Sequence, residues 1–182
     1  MTLPATVEGD EQLRLFVALE LPDDVVAELV RWGKQHLGRG RAVESFHVTL
    51  AFLGSQPRAA LEPIVAALRR QVLSTEPFEL EPVRYQETRS VGMLVLADPS
   101  GCAASLAERV QGDLEDLGVY ARERRRWLPH VTVVRFRERL RLDPPLPEIG
   151  PFAPSGAAAL LSRLHPSGAQ YEIVASCSLK RS

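Results

Sequence analysis

Hydrophobic and polar positions along this 182-residue chain predict an alternation of strands and helices. In three segments the apolar residues recur every three or four positions, as they do on one face of a helix. Between these segments lie short runs rich in β-branched and aliphatic residues, which favour strands. The predicted order is β-α-β-α-β-β-α-β-β-β. This order favours an α+β fold over a doubly wound parallel sheet, in which strands and helices alternate throughout.

The same pattern gives approximate boundaries. The first predicted helix spans about residues 22–37. The second can be capped by Ser55 and carries Leu61, Ile64, Val65, Leu68 and Val72 on one face, and the third is marked by Leu106, Val110, Leu114 and Leu117. Strands are predicted at residues 13–19, 77–88, 91–97, 157–165 and 170–179, the last two forming a hairpin that turns at Pro166-Ser167-Gly168. Residues 1–12 are polar and acidic and are predicted to be a mobile tail. The length fits one domain or two tightly packed lobes, and residues 13–182 are taken as one unit, which the resemblance described below implies to be bilobal.

Two further β-prone runs repeat each other. They read Phe46-His47-Val48-Thr49-Leu50 and Pro129-His130-Val131-Thr132-Val133. Residues i and i+2 of a strand share a face, so His47 and Thr49 are predicted to point one way, and His130 and Thr132 likewise. Val48, Leu50 and Phe52 then belong to the opposite face, which we expect to pack in the core. Two imidazoles and two hydroxyls would converge on one cleft if the strands face each other.

Such a set of side chains suits the cleavage of a phosphodiester. Imidazole has an ordinary pKa near 6.5, so one histidine can be neutral while the other is charged at neutral pH. The neutral ring can accept a proton from water, and the charged ring can donate one to the leaving oxygen. Threonine hydroxyls can hold the phosphate oxygens. The alternative for each histidine taken alone is a buried, hydrogen-bonded residue of a sheet core, but the duplication with matching threonines favours catalysis.

The chain resembles the 2H phosphoesterases, and within them the RNA 2',3'-cyclic phosphodiesterases, also called 2'-5' RNA ligases. Besides the two His-x-Thr motifs, the resemblance includes several flanking segments that together cover residues 13–179. They are Arg14-Leu15-Phe16-Val17-Ala18-Leu19, Leu21-Pro22, Thr49-Leu50-Ala51-Phe52-Leu53-Gly54, Pro129 and the closing segment from Ser162 to Tyr171.

The resemblance implies a bilobal α+β fold in which two antiparallel β-sheets carry helices on the outside. The two His-x-Thr strands would lie on either side of a central groove. It also implies hydrolysis of RNA 2',3'-cyclic phosphate ends to 2'-phosphomonoesters with no metal and no other cofactor. By the same resemblance His47 is the proton donor and His130 the proton acceptor. The local sequence does not distinguish these two roles.

Arginines cluster around the second motif. They are Arg122, Arg124, Arg125, Arg126, Arg135, Arg137, Arg139 and Arg141, in a chain whose formal net charge is only −1. A local positive field near the cleft would attract a phosphate. Arg135 aligns with an arginine of the family's second motif, which suggests phosphate contact, yet strict alternation puts it on the face opposite His130 unless a bulge intervenes. Arg126 and Trp127 are candidates for RNA contact, the alternatives being a solvated face and ordinary packing.

Composition sets broader limits. No apolar run approaches the length of a membrane helix, and the N-terminal residues show no secretory signal. Cys102 and Cys177 match neither a disulfide framework nor a metal site. We therefore expect a cytoplasmic protein with no membrane or metal partner, and a monomer. The resemblance implies RNA ends or cyclic nucleotides as its partners. His36 and His165 are expected to be surface residues.

Three alternatives stay open beside cyclic phosphodiester hydrolysis. The first is 2'-5' ligation of RNA in the same site, which is the reverse reaction. The second is a non-catalytic protein that binds RNA ends or nucleotides. The third is a metallohydrolase, which is disfavoured because no Asp, Glu or Cys lies at ligand spacing from the two histidines.

Overall fold

The computed structural model describes residues 11–43, 45–165 and 168–179. The strands are β1 (Gln12–Glu20), β2 (Arg41–Ala42), β3 (His47–Pro57), β4 (Glu81–Glu87), β5 (Val91–Ala97), β6 (His130–Arg135), β7 (Gly156–His165) and β8 (Gly168–Ser178). The helices are α1 (Asp23–His36), α2 (Leu61–Leu73) and α3 (Cys102–Asp116), with a 3₁₀ turn at Arg58–Ala60. Among the described helices, none has the length and apolar character needed to cross a membrane.

All strand pairings are antiparallel, in the order β4-β5-β6-β3-β1-β7-β8, with β2 added to β6. The predicted α+β class with antiparallel strands is confirmed. The two predicted sheets are two halves of one curled sheet, since β4-β5-β6 and β3-β1-β7-β8 are joined by a single residue pair, Val48 with Val131. The predicted tail and hairpin turn fall largely outside the described residues, although Gln12 already belongs to β1.

The three helices pack on one face of this sheet. Each contributes its apolar stripe to a shared core, for example Leu29 of α1, Leu68 of α2 and Leu106 of α3, all of which are buried. On the opposite face the described residues form a small apolar group of Phe16, Ala18, Ala158 and Leu160 on β1 and β7, with Tyr171 of β8 packed against it. Because no described helix covers that face, the polar side chains of the central strands are accessible there.

Strand β3 has two irregularities opposite β1, at Leu50 and at Leu53, and the one at Leu50 changes which face the following residues occupy. Ala18 pairs with Thr49 and Val17 with Ala51, so Leu50 is the extra residue. Beyond it the alternation changes phase: Leu50 and Ala51 are both buried, and Phe52 is 64% exposed. The predicted placement of Phe52 in the core is therefore wrong. A bulge inserts one residue into the period-2 pattern and turns the side chains that follow to the other face.

The split between β3 and β6 leaves backbone carbonyls of β3 without strand partners, and side chains take their place. The buried Gln111 of α3 donates its Nε2–H to the Leu50 carbonyl at 2.8 Å. The indole Nε1–H of Trp127 donates to the Thr49 carbonyl at 2.9 Å. These bonds matter because a buried carbonyl without a donor is costly. They fix the bulge at Leu50 and the point at which β3 and β6 separate.

The predicted capping role of Ser55 is also wrong. Strand β3 continues through Ser55 to Pro57 because β1 extends far enough to pair with it, and the Ser55 hydroxyl donates to the Gln12 side chain at 3.2 Å. The helix begins six residues later, at Leu61, after the 3₁₀ turn, and Ala60 at its N-cap makes no side-chain hydrogen bond.

We expect Gln111→Leu to lower the free energy of unfolding by about 1–3 kcal/mol, because the Leu50 carbonyl would stay buried without its donor. The measurement is equilibrium denaturation in urea. The matched control is Gln35→Leu on the exposed face of α1, which should change stability by no more than about 0.5 kcal/mol. Equal effects of the two substitutions would show that the bond to Leu50 contributes nothing specific.

Candidate active site

The two His-x-Thr motifs lie side by side on the open face of the sheet. Val48 and Val131 are register partners in an antiparallel pair, and both are buried on the core side. A local two-fold axis relates the residues on either side of such a pair, so it exchanges His47 with His130 and Thr49 with Thr132. Because alternate residues share a face, all four side chains are directed away from the helices. The strands are neighbours in one sheet rather than opposite walls of a cleft.

Aromatic rings surround His47. Its ring centroid lies 5.0 Å from that of Phe16 and 5.4 Å from that of Tyr171, which meets it edge-on. Nδ1 of His47 is buried and has no hydrogen-bond partner among the described residues. Burial, and then the positive charges of Arg135 and His130, lower the pKa of His47 to about 4. The imidazole is therefore neutral near pH 7 in the unliganded protein.

His130 has a different hydrogen-bonding environment. Its Nδ1 lies 2.9 Å from the carbonyl oxygen of Leu128, which can only accept a hydrogen bond. We therefore assign the proton of the neutral ring to Nδ1, which leaves the lone pair on Nε2. The buried Pro129 between them fixes this arrangement, since its carbonyl accepts a hydrogen bond from the Leu96 amide at 3.0 Å. The local sequences of the two motifs are nearly alike, but the tertiary surroundings make the two imidazoles chemically different.

A bulge in β6 brings Arg135 to the same face as His130. Met93 pairs with Thr132 and Gly92 with Val134, so Val133 is the extra residue of β6. Val133 and Val134 are both buried and Arg135 is exposed, which corrects the expectation from strict alternation. The Arg135 Nη2–H donates to the Tyr171 hydroxyl at 3.3 Å, and its charge acts on His47.

The two bulges occupy equivalent positions in the two motifs. Each extra residue, Leu50 or Val133, is the third after its histidine. Each bulge therefore directs the fifth residue after the histidine onto the open face: Phe52 in the first motif and Arg135 in the second. The duplicated strands thus place one aromatic ring and one guanidinium beside the four polar side chains.

The other predicted contact residues, Arg126 and Trp127, border a hollow of about 410 Å³. Thr49, Phe52 and His130 also line this hollow. Arg126 is exposed there. Trp127 is half-buried, packs against the core and bonds to β3, so its ring has a structural contact whatever else it touches. Several arginines of the predicted positive cluster pair with carboxylates instead: Arg122 with Glu115, Arg125 with Glu123 and Arg139 with Glu87.

Two residues of the site, and a third in the hollow next to it, were not singled out from the sequence. Phe16 and Tyr171 enclose His47, and Arg41 lies directly opposite Arg135 in the β2–β6 pair. Phe16 and Tyr171 lie within segments that carry the family resemblance, but nothing in the local pattern relates either to His47. The exposed His36 lies away from these residues at the end of α1, and the side chain of His165 is outside the description. Among the described residues, no three His, Cys, Asp or Glu side chains are grouped as metal ligands.

Comparison with known proteins places this arrangement in a family. The sequence model of the 2'-5' RNA ligase superfamily matches residues 21–165. The RNA 2',3'-cyclic phosphodiesterase of Escherichia coli (strain K12) is 26% identical over an alignment of 143 residues. The alignment covers 74% of this chain and 79% of that protein. The crystal structure of E. coli LigT with 3'-AMP superposes with a TM-score of 0.78 at 21% identity, over 94% of this chain and all of that one. A protein of Thermus thermophilus gives a TM-score of 0.76 at 28% identity, over 92% and 98% of the two chains.

We expect the His47 ring to titrate near pH 4 in the free protein, and Arg135→Gln to raise that pKa. The substitution removes one of two neighbouring positive charges, while burial keeps the pKa below its ordinary value of 6.5. The measurement is an NMR titration of the imidazole Cε1–H signals. Arg84→Gln, at an exposed position of the edge strand β4, is the control and should leave the pKa unchanged. A His47 that titrates near 6.5 in the wild type would contradict the burial described above.

Proposed function

This chain belongs to the 2'-5' RNA ligase superfamily of 2H phosphoesterases, and we propose that it hydrolyses RNA 2',3'-cyclic phosphate ends to 2'-phosphomonoesters. The strongest support is the pairing of Val48 with Val131, because it sets two imidazoles and two threonines on one accessible face around a local two-fold axis. A relative of the same fold was crystallised with 3'-AMP and with phosphate, which agrees with a nucleotide phosphate as the ligand of this face.

In the proposed reaction, water attacks the phosphorus atom in line with the bond from phosphorus to the 3'-oxygen. His130 accepts the proton from the attacking water through Nε2, the nitrogen that carries the lone pair when Nδ1 donates to Leu128. The bond to the 3'-oxygen breaks, and His47 donates a proton to that oxygen. The product keeps its phosphate on the 2'-oxygen. The hydroxyls of Thr49 and Thr132 donate hydrogen bonds to the non-bridging phosphate oxygens.

The low pKa of His47 requires that substrate binding help to protonate it. In the free protein burial, and then the positive charge of Arg135, favour the neutral ring. A cyclic phosphate carries one negative charge, and placing it between His47 and Arg135 offsets that repulsion and favours the imidazolium. The proton donor would thus become charged as the phosphate enters the site. On its pKa in the free protein alone, His47 would suit the acceptor role better, so the bound-state pKa decides the assignment.

The remaining substrate contacts are proposed from where the side chains lie relative to the two histidines. Arg135 is proposed to hold a phosphate oxygen, because the bulge at Val133 directs it to the histidine face. Arg126 and Trp127 border the hollow beside His130 and are proposed to contact the nucleotide there. None of these steps uses a metal ion, since the two imidazoles supply both proton transfers. Action as a monomer in the cytoplasm stays a prediction.

We expect the protein to convert an RNA that ends in a 2',3'-cyclic phosphate to the 2'-phosphate, with an undiminished rate in EDTA. His47→Ala and His130→Ala should each lower kcat by about 10²–10⁴-fold, as loss of a general acid or base does. The measurement is separation of 2'- and 3'-phosphate products by chromatography. His36→Ala, on the exposed end of α1, is the matched control and should retain full activity.

The other outcomes separate the alternatives. A product joined through a 2'-5' bond in mixtures of RNA halves would favour the ligase activity. Binding of a 2'-phosphate without any turnover would favour a non-catalytic binder. Full activity of His47→Ala would exclude the proposed mechanism.

We expect bound cytidine 2'-phosphate to raise the pKa of His47 from about 4 towards its ordinary 6.5, because the anion offsets the positive charge of Arg135 and stabilises the imidazolium, while burial still favours the neutral ring. An NMR titration of the complex measures this shift, and the Thr49→Val and Thr132→Val variants, with weakened phosphate contact, should show a smaller one. If the pKa stays near 4 in the complex, the roles of His47 and His130 are reversed.

A further inference from the structure

A hollow of about 720 Å³ adjoins the candidate catalytic residues on the side of β1 and β8. Its lining includes three arginines from three different strands: Arg14 of β1, Arg41 of β2 and Arg135 of β6. Phe52 and Tyr171 complete the lining next to His47. The described lining residues therefore bring three guanidinium groups to one hollow beside the candidate catalytic residues.

The placement of these arginines is set by strand register. Arg41 lies directly opposite Arg135 in the antiparallel β2–β6 pair, and both are exposed. Like charges at opposite positions repel, and an anion between them turns that repulsion into attraction. Arg14 approaches from the other side of the hollow and forms no ion pair with any described carboxylate.

The hollow begins where the histidine face ends. Arg14 and Phe16 share a face of β1, two residues apart, and the Phe16 ring touches both His47 and Phe52. Phe52 borders this hollow and the hollow beside His130. A ligand whose phosphate lies between the two histidines can therefore extend past the Phe52 ring towards Arg14 and Arg41.

On the basis of the proposed function, we propose that this hollow binds a second phosphate of the same substrate, one nucleotide away from the cyclic phosphate. The cyclic phosphate is a monoanion, and two imidazoles, two hydroxyls and Arg135 suffice to hold it. Arg14 and Arg41 lie further along the hollow, where another anion of the same ligand would meet them. Guanidinium groups bind phosphate oxygens through paired N–H donors, and the volume accommodates more than a single phosphate.

A second phosphate can come from two sources. It is the internucleotide linkage of an RNA chain, or it is a 5'-phosphate on the terminal nucleotide itself. Both place an anion on the 5' side of the ribose that carries the cyclic phosphate. Three substrates distinguish them: cytidine 2',3'-cyclic phosphate, its 5'-phosphorylated form, and the dinucleotide cytidylyl-cytidine 2',3'-cyclic phosphate.

The experiment compares kcat/KM for these three substrates in the wild type and in Arg14→Gln, Arg41→Gln and the double variant. The wild type should prefer a substrate with a second phosphate, and each substitution should lower kcat/KM for that substrate by about tenfold. Turnover of cytidine 2',3'-cyclic phosphate should be unchanged. The salt dependence of kcat/KM for the substrate with a second phosphate should also become shallower, because one fewer attraction between opposite charges is left for salt to screen. Arg84→Gln is the matched control and should alter none of these values.

Each result has one meaning. A preference for the 5'-phosphorylated nucleotide alone identifies a terminal phosphate, whereas a preference for the dinucleotide alone identifies the RNA linkage, and both support the inference. Equal rates for all three substrates in the wild type, or equal losses on all three in the variants, would overturn it. No turnover of any substrate by the wild type would instead overturn the proposed function. Circular dichroism and thermal melting of each variant confirm that it is folded.

Discussion

One backbone pairing, Val48 with Val131, determines the geometry of this protein's functional face. It is the single register pair between β3 and β6 in the described part of the chain, and it joins the two halves of the sheet. Both valines are buried against the helices, so the residues beside them must face the open side. The local two-fold of the antiparallel pair then converts a duplication in sequence into a duplication in space. A shift of the pairing by one residue would turn the histidines into the core.

The two strands part on either side of this pair, and the opening is stabilised by side chains rather than by further ladder bonds. Gln111 and Trp127 bind the carbonyls that β6 does not reach. The bulges at Leu50 and Val133 then redirect Phe52 and Arg135 onto the open face. The fold thus accommodates two irregular strands at its centre, and the irregularity supplies an aromatic ring and a cation to the groove.

The electrostatics of the site are arranged for an anion. His47 is half-buried beside Phe16 and Tyr171, with its Nδ1 atom inaccessible and Arg135 nearby, and the hollow beside it carries three arginines. In the free protein these features keep the imidazole of His47 neutral because they lower its pKa. A bound phosphate reverses that balance, because its negative charge interacts favourably with each of the groups that otherwise repel one another. In this proposal the negative charge of the bound phosphate links substrate binding to the protonation of His47, the proton donor.

The sequence by itself determined the order of the three helices and of every strand except the two-residue β2, together with the α+β class and the two histidine motifs, because period-2 and period-3.6 patterns and a repeated His-x-Thr are local signals. Family resemblance supplied the reaction that we propose. The tertiary structure alone decided that Phe52 and Arg135 face the groove, since a bulge depends on pairing with a neighbouring strand, and the paired apolar residues Leu50-Ala51 and Val133-Val134 marked it only faintly. It alone also distinguished His47 from His130. Burial and the positions of Arg135 and the Leu128 carbonyl set that difference, and these groups come from distant parts of the chain or from backbone geometry that residue types do not specify.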